Sequence, residues 1–122
     1  MPKTILIVEN EKILREVYSK KLSQAGFKTI CAGNPQEALF FSRTEKPDII
    51  LLDILWQREN GLAILENLRN NAETSKIKVV AFSNFDDMAT KKEAKELGAE
   101  DYLLKTDFTP NELVEKIKIY LG

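Results

Sequence analysis

Five polar residues stand where apolar runs stop, and together they amount to two carboxylates, an amide, a hydroxyl and an ammonium. Glu9 and Asn10 follow the run Thr4 to Val8, Asp53 closes Asp48-Ile49-Ile50-Leu51-Leu52-Asp53, Ser83 follows Ile77 to Phe82, and Lys105 follows Glu100 to Leu104. Singly, each reads as a cap, a solvated strand end or a surface lysine. Gathered in one crevice they would suit a hard cation and a phosphoryl group. Carboxylate oxygens are what Mg2+ prefers, usually with several waters retained. A metal neutralises phosphoryl charge, a lysine pairs with it, and a hydroxyl can donate to one of its oxygens.

Whether the five meet depends on the elements that carry them. The four aliphatics before Asp53 are too few for a helix and are framed by Pro47 and Asn60-Gly61, so they read as a strand buried on both faces. Thr4 to Val8 is a first strand, after which Leu14, Tyr18, Leu22 and Ala25 make one face of a helix that Gly26 is placed to stop. Phe27 to Ala32 reads as a second strand. Asn34-Pro35-Gln36-Glu37 is a helix-start signature for a helix reaching about Glu45, and Pro47 bars its extension. Beyond Asp53 come a helix with Leu62, Leu65 and Leu68, a polar loop over Asn70 to Ser75, and a strand from Ile77 to Phe82. A charged helix from about Asp86 to Leu97 then ends at Gly98, followed by a strand ending at Lys105. Thr109-Pro110-Asn111-Glu112 repeats the cap signature for a last helix bearing Leu113, Ile117 and Tyr120 or Leu121. Five strands alternating with five helices predict an α/β, doubly wound parallel sheet with right-handed crossovers. In such a sheet all strand C-termini share one edge, where ligands bind, and that edge collects Glu9, Asn10, Asp53, Ser83 and Lys105.

Composition narrows the function. The 122 residues fit one domain, expected to span 1–122, with 43% hydrophobic and 30% charged residues and a formal net charge of −1. That balance argues against direct nucleic-acid binding or an anionic membrane surface. No apolar run approaches a membrane span and no signal-peptide order opens the chain, so a cytoplasmic location is expected. Histidine is absent, which excludes histidine-based catalysis and the commonest zinc sites within this chain. Cys31 cannot form an internal disulfide and reads as a packing residue.

The order and spacing of these residues resemble the receiver domain of two-component response regulators over the whole chain. The match rests on the acidic stop Glu9-Asn10, Asp53, Gly61 eight residues later, the Ser83 hydroxyl, the strand-five aromatic Tyr102, and Lys105. The resemblance implies strand order 2-1-3-4-5. It implies phosphoryl transfer onto Asp53 from a sensor histidine kinase or phosphotransfer protein, with Lys105 and Ser83 assisting. Mg2+ would be held by Glu9, Asn10, Asp53 and the backbone carbonyl of Leu55. It further implies a switch through Ser83 and Tyr102 that alters the surface of helix four, strand five and helix five. A downstream effector protein or a covalently linked output domain would read that surface.

The sequence departs from the family pattern at several positions. Asn10 replaces a usual aspartate and should weaken the metal site unless Glu11 compensates. Asn84 replaces a very small residue and is expected to crowd the incoming group; Thr106 and Gln57 replace common prolines, and a cis peptide after Lys105 is not expected. Leu55 and Phe85 are apolar where rapidly dephosphorylating relatives carry water-orienting groups, which predicts a long-lived phosphoryl state. Lys91-Lys92-Glu93-Ala94-Lys95-Glu96 reads as a solvated helix face, or alternatively as part of a docking surface. Two other functions stay open: a receiver-like protein-binding module that no longer takes phosphate, and a flavin- or nucleotide-binding protein. Against the second, the turn Glu9-Asn10-Glu11-Lys12 is no phosphate cradle, and neither G-x-G-x-x-G nor a P-loop occurs.

Overall fold

The computed structural model describes residues 2–54 and 61–122. Its elements run β1 (Thr4–Val8), α1 (Lys12–Gln24), β2 (Lys28–Ala32), α2 (Pro35–Thr44), β3 (Ile49–Leu52), α3 (Gly61–Asn70), β4 (Lys78–Ser83), α4 (Met88–Glu96), β5 (Asp101–Leu104) and α5 (Pro110–Leu121), with a 3-10 turn over Lys105–Asp107. All neighbouring strands are parallel, in the order β2-β1-β3-β4-β5. The expected doubly wound sheet is therefore what forms.

Alternation along each strand divides the core between two faces. Leu6, Val8, Ile50, Leu52, Val79 and Ala81 face α2, α3 and α4, burying Ala38, Leu62, Leu65, Leu68 and Ala94. Ile5, Ile7, Ile49, Leu51, Val80, Phe82 and Leu103 face α1 and α5, burying Tyr18, Leu22, Leu113, Val114 and Ile117. Cys31 packs, partly buried, against this second cluster. Because β1, β3 and β4 are covered on both faces, the aliphatic runs continue until a polar group meets the C-terminal edge.

The helix starts follow local chemistry. Asn34 Oδ1 accepts the Glu37 N–H at 2.9 Å, and Thr109 and Glu112 form a reciprocal capping box. Several boundaries differ from the sequence reading by one or two residues, and two of them bear on the site. β4 continues one residue further, so that Ser83 pairs with Leu104 rather than lying beyond the strand. α4 begins at Met88, because the Asp87 carboxylate takes the Thr90 N–H as its N-cap and so fixes Asp86 outside the helix. All described peptide bonds are trans, including that between Lys105 and Thr106. Among the described residues no helix is long and apolar enough to cross a membrane.

Candidate functional site

Backbone pairing outlasts the strands where the site begins. The Glu9 N–H donates to the Ala32 carbonyl at 3.1 Å, and the Asp53 N–H to the Val8 carbonyl at 2.9 Å, so both residues are held in line with the sheet. Their carboxylates are buried, with 2% and 5% of each residue exposed. Lys105, delivered by the 3-10 turn after β5, donates its ammonium to Glu9 Oε1 and to Asp53 Oδ2, the latter at 3.0 Å. The edge-to-face pair of Phe82 and Tyr18, 5.2 Å between centroids, lies on the α1/α5 side of the sheet; the Lys105 ammonium is 5.9 Å from the Phe82 ring centre.

Burying charge is costly unless it is paired, and the titration behaviour reflects the balance. Burial raises the Glu9 carboxyl above its ordinary range; the Lys105 hydrogen bond opposes the rise, and the neighbouring Asp53 charge adds to it. Burial alone would lower Lys105, but the hydrogen bond to Glu9 and the Asp53 and Glu9 charges outweigh it and keep the ammonium protonated beyond its ordinary range. A cation at this place would take hard oxygen donors from two carboxylates. Among the described residues no group of three or more His, Cys, Asp or Glu side chains converges. Two carboxylates completed by water, an amide or backbone oxygen suit Mg2+, which keeps several waters and needs no all-protein cage.

Ser83, fully buried, stands at the end of β4. Its Oγ accepts the Phe85 N–H at 3.1 Å, and the Phe85 carbonyl accepts the Tyr102 hydroxyl at 2.6 Å. The half-buried Tyr102 thus uses its hydroxyl on the loop after β4. Burial raises its pKa, while hydrogen bonding with Ser83 and the Lys91 charge work against the rise. Lys91 lies 6.0 Å from the centre of the Tyr102 ring and pairs with Asp86, so this part of the charged helix is engaged rather than merely solvated.

The structure brings Glu9, Asp53, Ser83 and Lys105 to one edge, with Asn10 partly exposed beside them and Asn84 exposed. Leu55 and Gln57 lie outside the described residues. Gly61 is explained by crowding: a Cβ there would come within 2.6 Å of the Asp53 carbonyl oxygen and 2.7 Å of Ile54 Cα. Its N–H meanwhile donates to the Ile54 carbonyl at 2.8 Å. Sequence reasoning missed Arg15, whose guanidinium donates to the Glu9 carbonyl at 2.6 Å. A basic residue on the outer side of α1's apolar stripe gives no signal of that contact.

A profile of the response regulator receiver domain matches residues 5–118. The chain belongs to that family. This receiver domain is 32% identical over 122 residues to the polar-differentiation response regulator DivK of Brucella anthropi, covering 100% of this chain and 98% of DivK. It is 34% identical over 119 residues to the phosphate regulon transcriptional regulatory protein PhoB of Pseudomonas aeruginosa, covering 98% of this chain and 52% of PhoB. Among solved structures, a putative response regulator from Chloroflexus aurantiacus superposes with a TM-score of 0.87 at 30% identity, covering 99% of this chain and 98% of that one. The receiver domain spans about half the length of several curated relatives it matches, including the probable transcriptional regulators ycf27.

Proposed function

We propose that this receiver domain is a phosphoacceptor switch that takes a phosphoryl group onto Asp53 from a histidine kinase or phosphotransfer protein. The observation that carries this reading is the Lys105 ammonium held between the buried carboxylates of Glu9 and Asp53. An Asp53 carboxylate oxygen bonds to phosphorus as the P–N bond to the donor's histidine breaks, and that bond's electron pair returns to the imidazole. The product is an acyl phosphate on Asp53. Lys105 already touches Asp53, and it offsets the negative charge that gathers on the transferring group. Glu9, Asp53, the Asn10 amide and the Leu55 carbonyl would hold Mg2+, which when bound supplies the remaining positive charge. The Ser83 hydroxyl, which accepts from Phe85, would turn its own proton toward a phosphoryl oxygen.

Ser83 is also where the signal leaves the site. A hydroxyl drawn toward the phosphoryl group disturbs the Ser83–Phe85–Tyr102 chain of hydrogen bonds, and with it the surface where α4, β5 and α5 meet. That is a two-state element biased by a local charge event. An effector protein, or an output domain on the same chain, would read the change. The domain is thus regulatory and assists only its own phosphorylation and slow dephosphorylation.

Intact-protein mass spectrometry after incubation with acetyl phosphate and Mg2+ tests the reading. A phosphoryl adduct absent from Asp53→Asn and from metal-free samples is expected. If wild-type protein gives no adduct and binds no Mg2+, the domain acts instead as a phosphorylation-independent binding module.

A further inference from the structure

We propose that Arg15 is a positioning residue that sets the aim of the Glu9 carboxylate, and through it the cation affinity of the site; this rests on the phosphoacceptor reading above. Every polar atom of Glu9 has an assigned partner. Its N–H donates to the Ala32 carbonyl, Oε1 accepts from Lys105, and Oε2 accepts the Glu11 N–H at 3.2 Å. The remaining atom is the carbonyl oxygen, which lies where the β1 ladder ends. Arg15 reaches back from the first turns of α1 to supply its partner, Nη1 donating at 2.6 Å. The peptide that orients Glu9 is therefore fixed by a guanidinium rather than by a neighbouring strand.

A second element is shaped around the same contact. Gly33 follows β2, and a Cβ built there would stand 2.8 Å from Arg15 Nη1, 3.0 Å from Cζ and 3.3 Å from Nη2. Gly33 is not among the glycines with positive φ. What the missing side chain provides is room for the guanidinium, not backbone freedom. A methyl group at position 33 would meet the very nitrogen that holds the Glu9 carbonyl, and would displace the far end of a flexible side chain while leaving its charge in the region.

That geometry separates aim from charge. Mg2+ affinity of the unphosphorylated protein, measured by calorimetry, should weaken roughly tenfold in both Gly33→Ala and Arg15→Met, the scale on which outer partners of metal ligands act. Adduct formation from acetyl phosphate should slow in both at low Mg2+ and recover at saturating Mg2+, a recovery that general structural damage would not give. Gly33→Ala carries the test alone if Arg15→Met does not fold. Wild-type affinity in Gly33→Ala, or a slowing that Mg2+ fails to restore, overturns the proposal. So does tighter binding in Arg15→Met with Gly33→Ala unchanged, because Arg15 would then act by charge alone. A wild-type protein that neither binds Mg2+ nor forms the adduct removes the phosphoacceptor reading and this inference with it.

Discussion

The two edges of the sheet handle charge in opposite ways. At the C-terminal edge charge meets charge, with one ammonium between the Glu9 and Asp53 carboxylates. At the N-terminal edge charge meets neutral dipoles. Arg69, in the last turn of α3, donates to the carbonyls of Leu97, Gly98, Ser75 and Ile77 at 2.9–3.2 Å. Lys78 donates to the Tyr120 carbonyl, and Asp48 accepts the Thr4 N–H. The pKa shifts follow suit: burial lowers Arg69, whereas carboxylate neighbours raise Lys105. Gly98 serves the clamp twice, by its positive φ after α4 and by leaving room where a Cβ would stand 2.9 Å from Arg69 Nε. A cation on carbonyls neutralises the end of a helix dipole and has no reason to move when a charge arrives elsewhere. An ammonium shared by two carboxylates would repartition if a phosphoryl group or a metal joined them. The contrast places responsiveness at one edge and rigidity at the other, with α4 spanning the two.

The largest effect should come from Lys105→Met. At saturating Mg2+, where the two carboxylates keep a counter-charge, adduct formation on Asp53 should fall on the order of a hundredfold, as when one preorganised charge-stabilising donor is lost. Time-resolved mass spectrometry measures it, and an unchanged rate would make the Lys105 bridge a structural pair like those at the other edge.

Arg69→Met should do the reverse. Four charge-assisted hydrogen bonds vanish and the carbonyls at the α4 C-terminus lose their partner, for a loss of about 3 kcal/mol in urea unfolding. The rate of adduct formation under native conditions should stay near wild type. A slowed reaction in a variant of undiminished stability would erase the division between the edges.

How much of this was legible in the sequence follows the same division. The strand-end residues could be read because each interrupts a hydrophobic run, and parallel topology brings all such interruptions to one edge. Asn34-Pro35 and Thr109-Pro110 announced their helices through chemistry confined to four residues. Arg69 gave no such sign, since its partners lie 6 to 29 positions away and are carbonyls that every residue possesses. Arg15 was hidden likewise, its meaning lying in a carbonyl and in the space left by Gly33. The acceptor of the Tyr102 hydroxyl was hidden too, because the Phe85 carbonyl belongs to a loop whose path no residue pattern specifies. The end of β4 was misplaced by one residue, because a serine can close a strand as readily as follow one.

The smallest effect concerns a carboxylate at the rigid edge. Asp101 accepts the Tyr120 hydroxyl at 2.5 Å through Oδ2 and the Tyr102 N–H at 2.8 Å through Oδ1, tying the last turn of α5 to the start of β5. Burial, then the hydrogen bond and charge of Asp101, push the Tyr120 pKa well above the ordinary 10.0. Because the folded state keeps this proton longer than the unfolded chain does, the stability linked to it is fully present below 10.0 and is lost as pH rises toward the folded value. Tyr120→Phe removes the bond, at about 1 kcal/mol near neutral pH. It should also make the fall in stability above pH 10.0 shallower than in wild type. Urea titrations of both proteins across that range measure the difference. Parallel curves would mean that the Tyr120–Asp101 bond does not distinguish the folded chain from the unfolded one. In that case the rigid edge would rest, among the described residues, on Arg69, Lys78 and Asp48.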